Sequence, residues 1–535
     1  DMLAESPENV LFVVMDTVRK DHLSPYGYDR PTTPTLDSFT TDATVFEEAV
    51  APAPWTLPVH ASLFTGLYPS QHGASQENPY LEGATTIAQT LSAAGYQTAC
   101  YSSNAWITPY THLTDGFDDQ DNFFEVMPGE FLSGPLARAW KTLNDNESLR
   151  TLADTLVSLG NTAHEYFAGG EGADSKTPAV IDRTIEFIDT ADGEFFTFIN
   201  LMDAHLPYHP PASFREEFAP DVDSDAVCQN SKEYNAGARS IDAEEWADIQ
   251  ALYDAEIAHI DAQLGRLFGW LQQEGLWDET MVIVCADHGE LHGEHGIYGH
   301  EFCLYDQLVN VPLLIKHPQL DAARRHDQVE LIDLYHTVLD AVDIDGGNPN
   351  SPGETAIARD RTRSLLSDSY RDFESHAGSP DSDPAQQSSD GSYAFIEYSR
   401  PVVELKQLEE KAAAAGVSIS EDSRFYSRMR AARRTDAKYV RIDRIPDEAY
   451  RLDSDPDEQN SVADAMNADA TDIDMNIEAE ADAITATEAT LTAFESAVGG
   501  AWTDADGVSN DVTGDTVAEM DADAQERLRD LGYLE

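Results

Sequence analysis

Three short, nearly unbroken apolar runs constrain this chain more than any other feature: Asn9–Met15 (NVLFVVM), Glu194–Leu201 (EFFTFINL) and Met281–Ala286 (MVIVCA). They are rich in β-branched and aromatic residues and too short for ordinary helices, so they read as strands buried on both faces. Strand patterns at Thr44–Val50 and Tyr96–Tyr101 join them, and helical patterns at Thr85–Ala94, Val180–Thr190, Asp242–Gly275 and Val329–Val342 alternate with them. This alternation predicts an α/β fold: a large, mainly parallel sheet flanked by helices. Ligands gather at the C-terminal ends of strands in such sheets. Asp16 ends the first run, Asp203 and His205 follow the second, and Asp287-His288-Gly289-Glu290 follows the third. Carboxylates beside an imidazole at strand ends suit a divalent cation. A lone carboxylate at a strand end, such as Asp16, is equally able to cap a turn, and Asp21 and His22 read as loop-structuring.

Residues 50–73, VAPAPWTLPVHASLFTGLYPSQHG, carry the second constraint. Thr56 stands two residues before Pro58, and an apolar helix-forming run, Val59–Phe64, ends at Thr65-Gly66. Pro is favoured in the first helical turn, which puts Thr56 at a helix start where free N–H groups and the helix dipole favour an anion. A hydroxyl there is either a nucleophile for a phosphate or sulfate ester or an ordinary N-cap. Asn104, after the Tyr96–Tyr101 strand, is either a donor to a substrate oxygen or a turn residue.

The 56–66 stretch resembles the signature of the sulfatase family of the alkaline phosphatase superfamily: Cys or Ser, any residue, Pro, any residue, Arg, then a short helix ending in Thr-Gly. The frame matches, with Thr56 in place of the Cys or Ser and His60 in place of the Arg. The stretch DHGELHGEHGIYGHEFCLYDQLVNVPLLI from Asp287 resembles the second family signature. Asp16-Thr17-Val18-Arg19-Lys20-Asp21-His22-Leu23, Asp203-Ala204-His205-Leu206-Pro207-Tyr208 and the closing LRDLGYLE also resemble family elements, so the likeness runs over nearly the whole chain. It implies that Asp16, Thr56, Asp287 and His288 hold a divalent cation (Ca, Mg or Mn). Zn becomes an alternative if Asp203, His205 and His300 build a second site. It also implies catalytic roles for Thr56, His60, His205 and His300. Typical arylsulfatases carry a Lys and a His near position 104 and this chain carries neither there, so Asn104 and Asp203 are candidate substrate contacts on their own chemistry. His60 in place of Arg would make charge support beside the nucleophile weaker and pH-dependent.

Sulfatases convert their Cys or Ser to formylglycine, which Thr56 cannot become. Two reactions therefore stay open: sulfate ester hydrolysis, and phosphomonoester, phosphodiester or phosphotransfer chemistry through the Thr56 hydroxyl itself. A metal-dependent glycan-binding protein without turnover is a third reading. The organisation expected is a catalytic domain over 1–370 with a helical insertion at 117–176, a linker at 371–392, a small C-terminal α+β subdomain at 393–460 and an acidic, partly helical segment at 461–535. The resemblance implies small-molecule or glycan sulfate or phosphate esters as substrates.

The 99 acidic residues against 33 basic ones give a net charge of −66. That balance opposes nucleic-acid binding and makes the surface repel itself in dilute buffer. In molar salt the screening length falls to about 3 Å, so the composition reads as that of a halophilic, archaeal-type protein working in a high-salt cytoplasm. The four cysteines show no metal-binding or disulfide spacing. No apolar run reaches membrane-spanning length, and no signal peptide is legible, although a trimmed leader before Asp1 stays open. The thermal midpoint is expected to rise by on the order of 10 °C as KCl increases from about 0.2 M to about 3 M. Melting followed by circular dichroism checks this, and a salt-independent midpoint contradicts it.

Overall fold

The computed structural model describes residues 9–123, 175–367, 393–463 and 475–499. Its main sheet contains β1 (Asn9–Met15), β2 (Thr44–Val50), β3 (Gln97–Ser102), β4 (Asp119–Asn122), β5 (Phe195–Leu201) and β6 (Thr280–Cys285). A two-stranded ribbon follows, β7 (Leu291–His292) with β8 (Tyr298–Gly299), and then β9 (Asn310–Lys316) and β10 (Arg324–Glu330) return to the main sheet. The eight strands lie in the order β10-β2-β9-β6-β1-β5-β3-β4. The three apolar runs are therefore adjacent at the centre, with β1 parallel to both β5 and β6. Every residue of β1, β5 and β6 is buried, as strands covered on both faces must be.

The sheet is mixed: β9 runs antiparallel to β2 and to β6, while the other pairs are parallel. Helices Ile87–Ala93, Thr177–Thr190, Ala243–Gln273 and Asp333–Ala341 accompany it. The longest starts at Asp242, whose carboxylate accepts the N–H groups of Glu244 and Glu245. The helix expected over Val329–Val342 begins only at Asp333. Val329 and Glu330 instead finish β10, paired with Ala49 and Val50, because strand pairing overrides the helical spacing of the apolar residues there.

A second, four-stranded antiparallel sheet is built from β11 (Ala394–Tyr398), β12 (Met429–Arg434), β13 (Ala437–Ile442) and β14 (Glu448–Tyr450). Helix Val402–Ala415 links its first two strands. Phe494, near the end of the Met475–Phe494 helix, stacks on Phe395 with ring centroids 4.2 Å apart. Arg433 joins this sheet to the main domain: its Nη2 lies 2.6 Å from Glu48 Oε2 and 2.7 Å from Asp306 Oδ2. Lys438 Nζ adds a contact of 3.0 Å to Asp306 Oδ1. Removing one member of so buried a network typically costs about 3–5 kcal/mol, because it strands the others.

Within the segment expected as an insertion, β4 pairs with β3 and forms the sheet edge. The helical pattern at 131–166, the linker at 371–392 and most of the acidic segment at 461–535 lie outside the described residues. The four cysteines are buried and unpaired. Among the described residues no helix is long and apolar enough to cross a membrane.

His336 sits in the closing helix with Nδ1 accepting the N–H of Asp360 at 3.1 Å. Burial, with help from the Arg363 charge, lowers its pKa from 6.5 to about 3. The unfolded chain thus binds more protons between those values, so stability is lost as pH falls below 6.5. The slope from this group is about 1.4 kcal/mol per pH unit. His336→Asn, which keeps an acceptor near the Nδ1 position, should show a shallower loss of stability between pH 6.5 and 4.5 in denaturant titrations. Parallel curves would refute the assignment.

Candidate active site

The centre of the sheet ends in a dry, charged cluster. Asp16, at the end of β1, and Asp287 and His288, just past β6, are fully buried, and one ligand atom from each lies within 4.8 Å of the others. Neighbouring parallel strands bring their C-terminal ends together, so residues 271 positions apart meet (287 − 16). Gly289 lets the chain pack closely there: a Cβ on it would sit 1.9 Å from the Gln307 carbonyl oxygen.

The electrostatics favour a cation. Burial would neutralise Asp16, but His288, His205, Thr17 and Asn200 outweigh it and hold the carboxyl below its usual range. At Asp287 burial, and then the Asp16 charge, push the carboxyl well above its usual range. Burial and the nearby His300 depress His288 to about 3, leaving a neutral ring. Its Nδ1 donates to Gly289 O at 2.9 Å, so the Nε2 lone pair faces Asp287 Oδ2 at 3.5 Å and Asp16 Oδ1 at 3.9 Å. Metal-bound histidines commonly have this arrangement. Asp287 Oδ2 is buried with no hydrogen-bond partner among the described residues. An orphaned carboxylate oxygen facing an imidazole lone pair fits a divalent cation.

Thr56 is the first residue of the helix Thr56–Thr65, all of whose residues are buried. Its Oγ1 lies 3.5 Å from Asp16 Oδ2 and 3.4 Å from His288 Nε2. His72 anchors the helix through Nε2, 3.1 Å from Ser62 Oγ and 3.2 Å from Pro58 O. Gly66 ends it at φ +69, where an added Cβ would meet the Tyr335 ring at 2.7 Å. Asn104 Nδ2 donates to Asp16 Oδ2 at 2.8 Å and to Thr56 Oγ1 at 3.3 Å.

His60 is tied to the backbone of Thr56. Its Nδ1 donates to Thr56 O at 2.8 Å, its ring packs edge-on against Phe198, and burial lowers its pKa to about 4. At neutral pH it is uncharged, because the surrounding aromatic core leaves no water to solvate a cation. His205 and His300 lie together with ring centroids 5.3 Å apart, and His300 also lies 4.4 Å from the His288 ring. Burial opposes charge on His300, but Glu301 and Glu290 overcome it and raise the pKa to about 9. Asp203 turns away from this group: its Oδ2 is 2.9 Å from His259 Nδ1.

Two contributors carry no assignment from sequence. Asn200, on β5, donates to Asp16 Oδ2 at 3.1 Å, and Ser102 Oγ donates to Asn200 Oδ1 at 3.1 Å. An Asn inside an apolar strand, one residue before its end, was the available signal. Glu290, buried with Oε1 at 3.3 Å from His300 Nδ1, stands in the Asp-His-Gly-Glu quartet without revealing its partner.

The Sulfatase family profile matches residues 8–344, and the chain belongs to that family of hydrolases. It is 25% identical over 384 residues to an uncharacterised sulfatase, YidJ, of Escherichia coli K12, covering 67% of this chain and 72% of that one. It is 24% identical over 362 residues to an arylsulfatase of Clostridium perfringens, covering 62% and 74%. In fold it is similar to a phosphonate monoester hydrolase of Agrobacterium radiobacter, with a TM-score of 0.61, 20% identity and coverage of 91% and 95%.

Gly289→Ala should destabilise the protein by about 3 kcal/mol or more, because the methyl group meets backbone that cannot yield. Gly193→Ala, with nothing within 4 Å of the added Cβ, should stay within about 0.5 kcal/mol of wild type. Thermal melts of both variants in molar KCl check the pair.

Proposed function

We propose that the protein is a metal-dependent hydrolase that cleaves sulfate esters with the Thr56 hydroxyl as nucleophile. The observation that carries this reading is the place of Thr56 Oγ1, at a helix start and 3.4–3.5 Å from both His288 and Asp16. Asp16, Asp287, His288 and the Thr56 hydroxyl would hold a divalent cation, Ca, Mg or Mn, with Zn as the alternative. A bound cation supplies Lewis acidity toward the ester oxygens and lowers the pKa of a coordinated hydroxyl.

The chain's own groups account for the remaining chemistry. Asn104 orients Thr56 through the 3.3 Å bond to Oγ1, and the helix start offers N–H groups to the anionic ester. His60 fixes the Thr56 carbonyl and keeps water from beneath the helix. Thr56 Oγ1 passes its proton to Asp16 Oδ2, 3.5 Å away, and attacks sulfur. The bond from sulfur to the alcohol oxygen breaks, and His300 or His205 gives that oxygen a proton that the attacking water later restores. Water then attacks the threonyl ester and releases sulfate. Together, Asn104 would contact a substrate oxygen, whereas the Asp203–His259 pairing favours a structural role for Asp203.

One feature favours a second reading, phosphoester hydrolysis or transfer. Thr56 offers a single hydroxyl, so its covalent ester must be opened by external water or an acceptor alcohol, which suits phosphoryl transfer as well as sulfuryl transfer. We assign the −66 charge to work in molar salt. The test is turnover of an aryl sulfate, an aryl phosphate and an aryl phosphodiester in molar KCl with Mn2+, Mg2+, Ca2+ or Zn2+. Thr56→Ala should lose on the order of 10³-fold or more of kcat, while Thr56→Ser should keep measurable turnover. Which ester is turned over decides between the readings. Full activity in Thr56→Ala overturns the nucleophile.

A further inference from the structure

We infer that Asp203, Glu256 and His259 form a second divalent-cation site, suited to a transition-metal ion such as Mn2+ or Zn2+, that clamps the segment carrying His205. This inference is independent of the role given to Thr56.

The first argument is geometric. Glu256 and His259 stand three residues apart on the Ala243–Gln273 helix and therefore share a face. Asp203 reaches the same face from the turn after β5, and one ligand atom from each of the three residues lies within 4.8 Å of the others. The Asp203 and His259 side chains are only 6% and 5% exposed. Ser175 provides a further oxygen, with Oγ 2.7 Å from Asp203 Oδ2 and 3.4 Å from His259 Nδ1. Two carboxylates, an imidazole and a hydroxyl form a mixed oxygen and nitrogen donor set. Mn2+ and Zn2+ both accept such a set.

The second argument is one of unmet charge. Glu256 is 3% exposed, and among the described residues it forms no ion pair with Lys, Arg or His. Its hydrogen bond is the one Oε1 accepts from His209 N at 2.7 Å. Burial, and then the nearby Asp203 charge, push its carboxyl well above the usual range. Two buried carboxylates without a Lys or Arg between them are costly in any protein. At the seam with the small sheet, this chain resolves the same problem with Arg433 and Lys438. No such cation faces Glu256 among the described residues, and a bound metal ion would supply the missing positive charge.

The consequence is mechanical. Asp203 and His209 bracket His205, and both are tied to the helix through the cluster. The ring of Phe214, 5.1 Å from that of His259, covers the outer side. A cation there would fix the 203–209 segment at both ends and so hold His205 beside His300.

The test uses the full chain in molar KCl, stripped with chelator and titrated with Mn2+ alone, free Mn2+ being counted by electron paramagnetic resonance. Wild type should bind about two equivalents, and both Glu256→Gln with His259→Gln and Asp16→Asn with Asp287→Asn should bind about one. Equal binding by wild type and the Glu256/His259 variant overturns the second site and leaves the first intact. Loss confined to the Glu256/His259 variant supports the second site and counts against the first. Pulsed resonance on the Asp16/Asp287 variant gives a check that does not need the other variant to fold. Bound Mn2+ should show coupling to an imidazole nitrogen, and its absence overturns the assignment.

Discussion

Two carboxylates deep in the protein, Asp16 and Asp287, repel each other where no water can screen them, and much of the architecture serves that confrontation. Each is fully buried at the end of a central strand. Asn104, Asn200 and Thr17 donate to Asp16, while Asp287 takes the backbone N–H groups of Thr17 and His288 and keeps one oxygen without a hydrogen-bond partner among the described residues. A fold built for stability alone would replace such a pair with apolar side chains. Its retention, beside a neutral imidazole with its lone pair turned inward, is the physical reason to regard the cluster as a place for a cation.

Charge is also what joins the parts of the molecule. The chain is poor in basic residues, yet several of them are spent in buried positions: Arg19 between Asp21 and Glu294, Arg363 between Glu330 and Asp333, and Arg433 between Glu48 and Asp306. In a chain of net charge −66 this divides the ionic groups into two populations. In these pairs the guanidinium is largely withdrawn from solvent, whereas the excess acidity repels itself wherever solvent reaches it. The Asp203–Glu256–His259 cluster departs from this pattern, since it is interior yet has no Lys or Arg paired with it among the described residues.

The legibility of the site followed the range of the interactions involved. Asp16, Asp287 and His288 could be singled out because strand identity and strand ends are local properties of sequence. The start of a helix at Thr56 was legible from Pro58 and Gly66 for the same reason. The reversed direction of β9 was not, because an apolar run carries no arrow. Val329 and Glu330 were read as helical because their spacing suits a helix, and pairing with β2 outweighed that preference. The neutrality of His60 depended on Phe64 and Phe198, whose rings close around it only in the folded chain.

The sequence by itself determined an α/β sheet with acidic and imidazole groups at its strand ends, a hydroxyl at a helix start, and a net charge of −66. These are matters of periodicity, short-range conformational preference and net charge. Tertiary structure alone decided that Asn200 supports Asp16, that Glu290 and Glu301 charge His300, and that Asp203 turns to His259 instead of the central cluster. Each depends on which side chains from distant segments share one dry volume, and burial sets their charges. No local pattern encodes that environment.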